Sequence, residues 1–344
     1  MRRFKYLFVY TIPITVLVAF NFEGIWTFLP LIVFFGLVPL LELLVPPDRE
    51  NMDKKLADDE KNQKLYDYIL YGTLPLQLGF LIYFFFIIGD TPYGSLEYIG
   101  RITAMGFMCG VIGINVGHEL GHRHTRWEQL MGELLLLTSL DTHFLPYHNA
   151  GHHRNVATPE DSATARKNEL LLVYWFRSHF GSYIEAWQLE KARLQRESES
   201  WFTLRNRMVV YSIANILLLG LVFFIFGTVV FIAFIGAATL GIILLETVNY
   251  IEHYGLLRKT KENGRYEPVR HHHSWNSDHP IGRTLLFNLS RHSDHHYNGS
   301  KKYQILKSHE KSPQMPTGYP GMMILAVLQP LWFWVMNKKL EQFR

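Results

Sequence analysis

Histidines in four short segments are the residues of this sequence with the most evident chemistry. The segments read HELGH, HNAGHH, NYIEHYG and RHSDHH, and they hold nine of the 17 histidines. The nine are His118, His122, His148, His152, His153, His253, His292, His295 and His296. Spacings of three or four residues place side chains on one face of a helix. Neutral imidazole is a ligand for iron, zinc, copper and nickel, and because one ion takes about four to six ligands, nine histidines predict two ions.

HELGH also matches the zinc metalloprotease pattern, in which Glu119 would be the general base. That site needs one further ligand and leaves most of the other clustered histidines without a role. A metal transporter is a third alternative, disfavoured because the clusters lie at the ends of apolar runs rather than within them. Five other histidines are predicted to be isolated, solvated or hydrogen-bonded residues: His124, His143, His179, His271 and His309.

Composition excludes several function classes. The net charge of +4, without a long basic run, gives no support for nucleic-acid binding. The single cysteine, Cys109, excludes a disulfide framework, a cysteine-rich zinc site and an iron–sulfur centre in this chain. Any metal or redox chemistry must therefore use other ligands.

Long apolar runs predict an all-α integral membrane protein with six transmembrane helices. The runs are 5–21, 26–46, 67–89, about 95–117, about 207–226 and 228–251. The first run follows MRRFK but lacks a small-residue cleavage site, so it is predicted to be a retained helix rather than a signal peptide. Basic residues concentrate at the N-terminus, in 47–66 and in 118–206, which places both termini and the histidine clusters in the cytoplasm.

This topology divides the chain into four parts that form one catalytic unit. Residues 1–117 hold four membrane helices and 207–251 hold two, while 118–206 and 252–344 are cytoplasmic, histidine-rich segments. A charged stretch at 177–207 is predicted to be a helix lying on the domain. The last apolar run, 319–336, contains Pro320 and Pro330 and is predicted to be an interfacial or packing segment rather than a seventh span.

Longer motifs around the histidines resemble a known family. NVGHELGHRH, HNAGHHRNVATPEDSATAR, NYIEHYGLLR, HHSWNSDH and LSRHSDHHYNGSKKYQ are similar to the bacterial integral-membrane alkane 1-monooxygenases, and more remotely to the membrane fatty-acid desaturases and hydroxylases. The similarity extends over nearly the whole chain, including FFGLVPLLELLVPP and PTGYPG. NYIEHYG is the most discriminating of these motifs.

The resemblance implies a non-haem diiron centre held by the nine clustered histidines. It further implies terminal hydroxylation of medium-chain n-alkanes by O2 in the bacterial cytoplasmic membrane, with electrons from rubredoxin and rubredoxin reductase. A desaturase, or a hydroxylase of aryl methyl groups or fatty acyl chains, is the alternative within the same chemistry. An apolar tube between spans would suit a substrate that has no polar group.

Several other residues are candidates for orienting the ligands or lining the substrate channel. Metal-bound histidines usually donate their second ring N–H to a carboxylate or carbonyl, and the candidates for this are Glu119, Asp161, Glu252, Asp278, Asp294, Asn149 and Asn249. Phe34 falls where the resembling family carries a bulky residue that limits chain length, and the alternative is that it faces lipid. Glu246 is an intramembrane carboxylate seven residues before His253, on the helix face that ends at the metal site, and is a candidate channel residue. Its alternative is a protonated carboxyl group hydrogen-bonded between helices. Tyr147 stands where the family commonly has an acidic residue before His148.

Overall fold

The computed structural model describes residues 2–343, and over that range the chain is built from helices and loops. Backbone pairing between extended segments is confined, within those residues, to isolated bridges from Thr260 to Tyr266 and from Asn276 to Gln314. The helices are α1 Phe4–Asn21, α2 Gly24–Leu44, α3 Lys54–Lys61, α4 Lys64–Gly89, α5 Leu96–Gly121, α6 Arg126–Leu137, α7 Phe144–Tyr147 with its continuations His148–His152 and His153–Asn155, α8 Leu171–Arg196, α9 Arg207–His253, α10 Pro280–Leu285, α11 His292–Tyr297, α12 Tyr319–Val327 and α13 Gln329–Leu340.

Five of these helices are long and apolar enough to cross a membrane: α1, α2, α4, α5 and α9. Large apolar side chains remain exposed on them, among them Leu40, Phe86, Ile216 and Phe224. Exposed apolar surface on this scale is costly in water and is what a bilayer covers. The predicted all-α membrane fold is confirmed.

Helix α9 reverses its direction at Gly227. A straight helix of its 47 residues would extend about 70 Å, yet both of its ends contact the same part of the chain. Met208 packs in one buried cluster with Tyr147, and the ring of His253 contacts that of His152. Gly227 has φ 81°, which glycine adopts without steric cost. The reversal lies at the turn that the sequence predicts between 207–226 and 228–251.

Helices α5 and α9 pack closely enough for their backbones to touch. A Cβ added at Gly241 would lie 2.7 Å from Cβ of Cys109 and 3.0 Å from the backbone nitrogen of Gly110. Small residues at such crossings let membrane helices approach. The contact brings the end of α5, with His118, beside the end of α9, with His253.

The last apolar run is divided into α12 and α13 at Leu328, which has φ −85° and ψ 65°. Neither half is long enough to span a membrane. Trp332 is fully buried against Tyr250 and Tyr254 at the end of α9. As predicted, the run packs on the domain, and there it supports the segment that carries His253.

Candidate metal centre

The nine clustered histidines converge into two adjacent groups. The five-histidine group consists of His118, His122, His148, His153 and His295, and the four-histidine group consists of His152, His253, His292 and His296. Within each group one ring nitrogen per residue lies within 4.8 Å of all the others. The structure thus brings together every histidine of the four sequence clusters.

The distances in the five-histidine group are those of shared ligands rather than of a hydrogen-bond network. Nε2 of His118 lies 2.8 Å from Nε2 of His148, 3.1 Å from that of His295 and 3.0 Å from that of His122. A neutral imidazole has one N–H, so His118 could donate to one of these nitrogens at most. A cation among the lone pairs removes the conflict, and the donor set therefore fits a metal ion.

The four-histidine group has the same character. Nε2 of His152 lies 3.1 Å from Nε2 of His296, and Nε2 of His292 lies 3.1 Å from that of His253. The His296 ring contacts those of His153 and His148 in the five-histidine group, with centroids 4.7 and 6.4 Å apart. The two groups are therefore neighbours, as a two-metal centre requires.

The charge state of these rings suits metal binding. Burial, followed by the neighbouring imidazoles, lowers the pKa of His148 well below its ordinary value. The same causes in the same order lower the pKa of His292, His295 and His296. These rings are neutral at pH 7, which is the form that binds a metal.

Local helix geometry assigns each histidine to its group. The segment His148–His152 is a π-helical turn, in which residues five apart are hydrogen-bonded neighbours. His148 and His153 therefore enter one group while His152 enters the other. In α11, His292 and His296 are four residues apart and share a group, and His295 joins the other.

Asp161 and Tyr147 orient His152 from behind. Nδ1 of His152 lies 3.0 Å from both carboxylate oxygens of Asp161, and the Tyr147 hydroxyl donates to Oδ1 of Asp161 at 2.6 Å. Burial opposes ionisation of Asp161, but His152 and the hydrogen bonds outweigh it and hold the pKa of that carboxyl below its ordinary range. Tyr147, which departs from the resembling family, thus contributes through Asp161.

Glu252 faces the cluster directly. Its Oε2 lies 3.2 Å from Nε2 of His292, the nitrogen that points into the four-histidine group. Its Oε1 accepts a hydrogen bond of 2.6 Å from the Tyr319 hydroxyl. Glu252 therefore lies beside the metal-facing nitrogen, whereas the sequence placed it behind a ligand.

Glu119 and Asp294 do not contact the clustered rings as the sequence suggested. Glu119 pairs with Arg123 at 3.1 Å and accepts from the backbone N–H of Tyr303. Asp294 pairs with Lys301 and His309. Nδ1 of His295 and Nδ1 of His296 have no hydrogen-bond partner within residues 2–343. Both carboxylates tie the helices that carry the ligands to the segment 301–309. A general base in a protease would have to reach the metal, so the position of Glu119 argues against that alternative.

The remaining predicted partners lie at other contacts. Asp278 pairs with Arg291, and Asn149 donates to the backbone oxygen of Gly121. Arg291 also donates to the backbone oxygen of Glu50. These bonds fix the loop before α11 and the end of α5.

An apolar cavity of about 120 Å³ opens onto the histidines. His118, His148, His292 and Glu252 line one part of it. The rest of the wall is formed mainly by apolar side chains of seven helices and the loop after α10: Ile12, Phe34, Phe35, Phe107, Val111, Ile114, Phe144, Leu244, Leu245, Val248, Leu285, Leu286, Leu289 and Met323. Such a wall suits a ligand without polar groups.

Phe34 lines this cavity and is 6% exposed, so it does not face lipid. Its ring lies 5.9 Å from that of Phe107 on α5. Glu246, in contrast, is buried outside the cavity wall, near Ser178 and Asn249. Glu246 precedes His253 by seven residues on α9, but its carboxylate lies toward Ser178 of α8. The prediction that Glu246 lines the channel is therefore wrong.

The sequence did not reveal Tyr319, the cavity-lining Asn115 or the two π-helical segments in the spans, Ile32–Leu37 and Met108–Ile114. Tyr319 lies far from Glu252 along the chain, and no local pattern links them. Tyr319 belongs to the PTGYPG motif, for which the sequence alone indicates no role.

Comparisons with known proteins agree with this geometry. Residues 97–326 match the fatty acid desaturase family. The chain is 37% identical over 326 residues to alkane 1-monooxygenase 2 of Pseudomonas aeruginosa, covering 94% of this chain and 86% of that protein. It is 37% identical over 310 residues to alkane 1-monooxygenase 1 of Alcanivorax borkumensis, covering 90% and 76%. It is 28% identical over 335 residues to the xylene/toluene monooxygenase hydroxylase component of Pseudomonas putida, covering 96% and 87%. The chain belongs to the alkane 1-monooxygenase family of membrane enzymes, within the wider fatty acid desaturase family.

Proposed function

We propose that this protein uses O2 to hydroxylate the terminal methyl group of medium-chain n-alkanes in the bacterial cytoplasmic membrane. The observation that carries the proposal is the apolar cavity that ends at nine converging histidines. The relatives named alkane 1-monooxygenases support the same substrate class. In the reaction one oxygen atom enters a C–H bond to give the primary alcohol, and the other leaves as water with two electrons and two protons.

The nine histidines are proposed to hold two non-haem iron ions, one in each group. Nine imidazoles without a thiolate are a donor set that suits iron. When bound, the irons supply the redox chemistry that activates O2. The chain itself holds the ligands, excludes water from the reacting methyl group and positions the substrate.

The cavity selects substrates by shape, because an alkane offers no hydrogen bonds. A regular α-helix from Phe107 to His118 would be about 16 Å long, and this is an upper bound for α5 because Met108–Ile114 is π-helical. Phe34 packs against Phe107 at the far end of this stretch. We propose that Phe34 closes the tube there and sets the longest chain that fits.

Glu252 is proposed to hold and deliver a proton beside the four-histidine group. It is an acidic residue in the cavity wall, and its Oε2 lies near Nε2 of His292. The Tyr319 hydroxyl donates to Oε1, so it fixes the carboxyl group and leaves Oε2 free to face the cavity.

Electrons are proposed to come from rubredoxin and its reductase on the cytoplasmic side. The only cysteine of the chain, Cys109, is buried between helices, so a redox centre based on cysteine must reside in a separate protein. The distribution of basic residues supports a cytoplasmic position of the histidine groups, on the side where such a donor would bind.

The test is turnover of octane with labelled O2 by the full chain, purified in detergent and supplied with rubredoxin and its reductase. We expect two irons per chain and labelled oxygen in 1-octanol. His292→Ala should lose iron and activity, while His124→Ala, at an exposed position, should keep both. One zinc ion per chain and no octanol would contradict the proposal and would favour a zinc metalloprotease instead.

A related reaction is the second candidate. The match to the fatty acid desaturase family and the xylene/toluene monooxygenase relative favour a desaturase or an aryl-methyl or fatty-acyl hydroxylase. A desaturase would form an alkene without incorporating labelled oxygen. A hydroxylase of the other substrates would oxidise xylene or a fatty acid in preference to octane.

A further inference from the structure

A second type of metal-ligating cluster lies outside the nine histidines. Asp141 and His143, in the loop between α6 and α7, meet His179 of α8, and one ligand atom from each lies within 4.8 Å of the other two. Asp141 and His143 are buried, with 1% and 5% of their surface exposed, and His179 is partly exposed. From the sequence, His143 and His179 are predicted to be isolated residues, because Asp141 and His179 are too far apart along the chain to form a motif.

From this cluster we propose a further site for a divalent transition-metal ion of the zinc class, held by Asp141, His143 and His179. This site goes beyond the proposed alkane hydroxylation and does not depend on it. Two imidazoles and one carboxylate are a common donor set for zinc and for iron(II). Three protein ligands leave a further position for water.

The spacing of the ligand atoms fits such an ion. Oδ1 of Asp141 lies 3.3 Å from Nδ1 of His143. Around a tetrahedral ion with ligand bonds of about 2.0–2.1 Å, neighbouring ligand atoms lie about 3.3 Å apart. Nε2 of His143 lies 3.2 Å from the Ser182 hydroxyl. A hydrogen bond on the second ring nitrogen is the usual way to orient a metal-bound histidine.

The electrostatics of the cluster also call for a cation. Among the described residues the only titratable group that contacts the Asp141 carboxylate is the His143 ring, whose Nδ1 lies 3.3 Å from Oδ1 and is charged only if protonated, and Oδ2 of Asp141 is buried without a hydrogen-bond partner. A buried carboxylate without a counter-ion is costly, and a bound divalent ion supplies the missing charge.

A comparison with another histidine–carboxylate group sharpens the argument. Asp294 lies near His271 and His309, but its carboxylate already pairs with Lys301 and accepts from the backbone N–H of Lys307. That carboxylate needs no metal ion. Of these two groups, only the one around Asp141 has a buried carboxylate that pairs with no lysine or arginine among the described residues.

A metal ion at this site would stiffen the loop between α6 and α7, which leads directly to the segment that carries His148. His143 is followed by Phe144, whose ring stacks on that of His148 with centroids 4.6 Å apart. An ion held by His143 and by His179 of α8 would fix this loop against α8. Its role would be structural, since the ion would not touch the alkane cavity.

The experiment counts metals on the full chain in detergent, loaded with iron and then equilibrated with Zn²⁺ before excess metal is removed. The sum of iron and zinc is the readout, because exchange of zinc for iron in the nine-histidine groups leaves that sum unchanged. We expect wild type to hold one metal ion per chain more than His179→Ala. Asp141→Asn should weaken zinc binding at this site at least tenfold.

The matched control is His124→Ala, which removes an exposed histidine away from the cluster and should leave the sum at the wild-type value. Equal sums in wild type and His179→Ala would overturn the proposal, as would an equal loss in His124→Ala. If Asp141→Asn fails to fold, His179→Ala still decides, because His179 is partly exposed. Octane turnover on the iron-loaded samples before zinc is added tests the proposed function separately, so that either proposal can fail without affecting the test of the other.

Discussion

At the residue scale, helical spacing in the sequence predicts the metal ligands, but it does not predict which side chains hydrogen-bond to those ligands. The i, i+4 pair His118 and His122 and the set in α11 are local patterns, and all of them reach the two groups. The contacts of Asp161 with His152 and of Tyr319 with Glu252 depend on tertiary folding. Glu119 and Asp294 lie beside ligands in sequence, yet their side chains point to Arg123 and Lys301.

Tyr147 is expected to strengthen metal binding through Asp161. Tyr147→Phe removes the hydroxyl that donates to Oδ1 of Asp161 at 2.6 Å, so the carboxylate holds His152 less firmly. Loss of such a partner costs about 10–100-fold in metal affinity, and we expect the lower end because Asp161 remains. Iron retention against a chelator measures this, with Tyr93→Phe at an exposed position as the control. Equal retention by the two variants would contradict the prediction.

Phe34 is expected to limit the length of the alkane. Phe34→Ala removes a buried ring from the cavity wall, so chains longer than those accepted by wild type should fit. One methylene contributes only about 1–3 kcal/mol in an apolar pocket, so the change should be a gradual shift of the product profile toward longer alcohols. Competition among alkanes of increasing length measures it. Phe86→Ala, on an exposed face of α4, should leave the profile as in wild type, and an unchanged profile in Phe34→Ala would refute the assignment.

At the element scale, hydropathy predicts where helices lie but not how their backbones depart from regularity. The apolar runs agree with α1, α2, α4, α5 and α9 to within a few residues. The π-helical turns at Ile32–Leu37, Met108–Ile114 and His148–His152 have no sequence signature of their own. Each borders the cavity or the histidines, which agrees with the frequent occurrence of such turns at functional sites.

Close packing of α5 and α9 is expected to depend on Gly241. Gly241→Ala places a methyl group 3.0 Å from the backbone nitrogen of Gly110 and closer still to Cys109. The helices must separate, at a cost of about 1–3 kcal/mol. Thermal unfolding in detergent should show a lower Tm than for Gly220→Ala, where the added methyl group meets nothing within 4 Å. The same Tm in both variants would mean that the contact is not a tight one.

At the scale of the whole molecule, the sequence predicts the fold class and the convergence of the clusters, because helices joined by short loops must alternate in direction. The Gly227 reversal returns the chain to the side where α5 ends. The cavity itself could not be predicted, because its wall combines α1, α2, α5, α7, α9, α10 and α12, whose arrangement no periodicity encodes.

The orientation in the membrane can be tested with the chain's own chemistry. Cys109 is fully buried, so a thiol reagent that cannot cross membranes should leave wild type unlabelled. Glu23→Cys lies in the loop between α1 and α2 and Ser200→Cys in the loop between α8 and α9, both exposed. With the histidine groups in the cytoplasm, intact spheroplasts should label only Glu23→Cys, and permeabilised ones should label both. Labelling of Ser200→Cys but not Glu23→Cys in intact spheroplasts would place the histidine groups on the outer side of the membrane and contradict the prediction.

Helix α11 contributes to both histidine groups, and this has a consequence for how the enzyme is made. His295 completes one group, and His292 and His296 complete the other. During synthesis all five membrane-length helices precede α11, so the membrane part is inserted while only six of the nine imidazoles exist. Metal loading is thus a late step of biogenesis, and a chain whose translation stops before His292 enters the membrane without a complete site in either group.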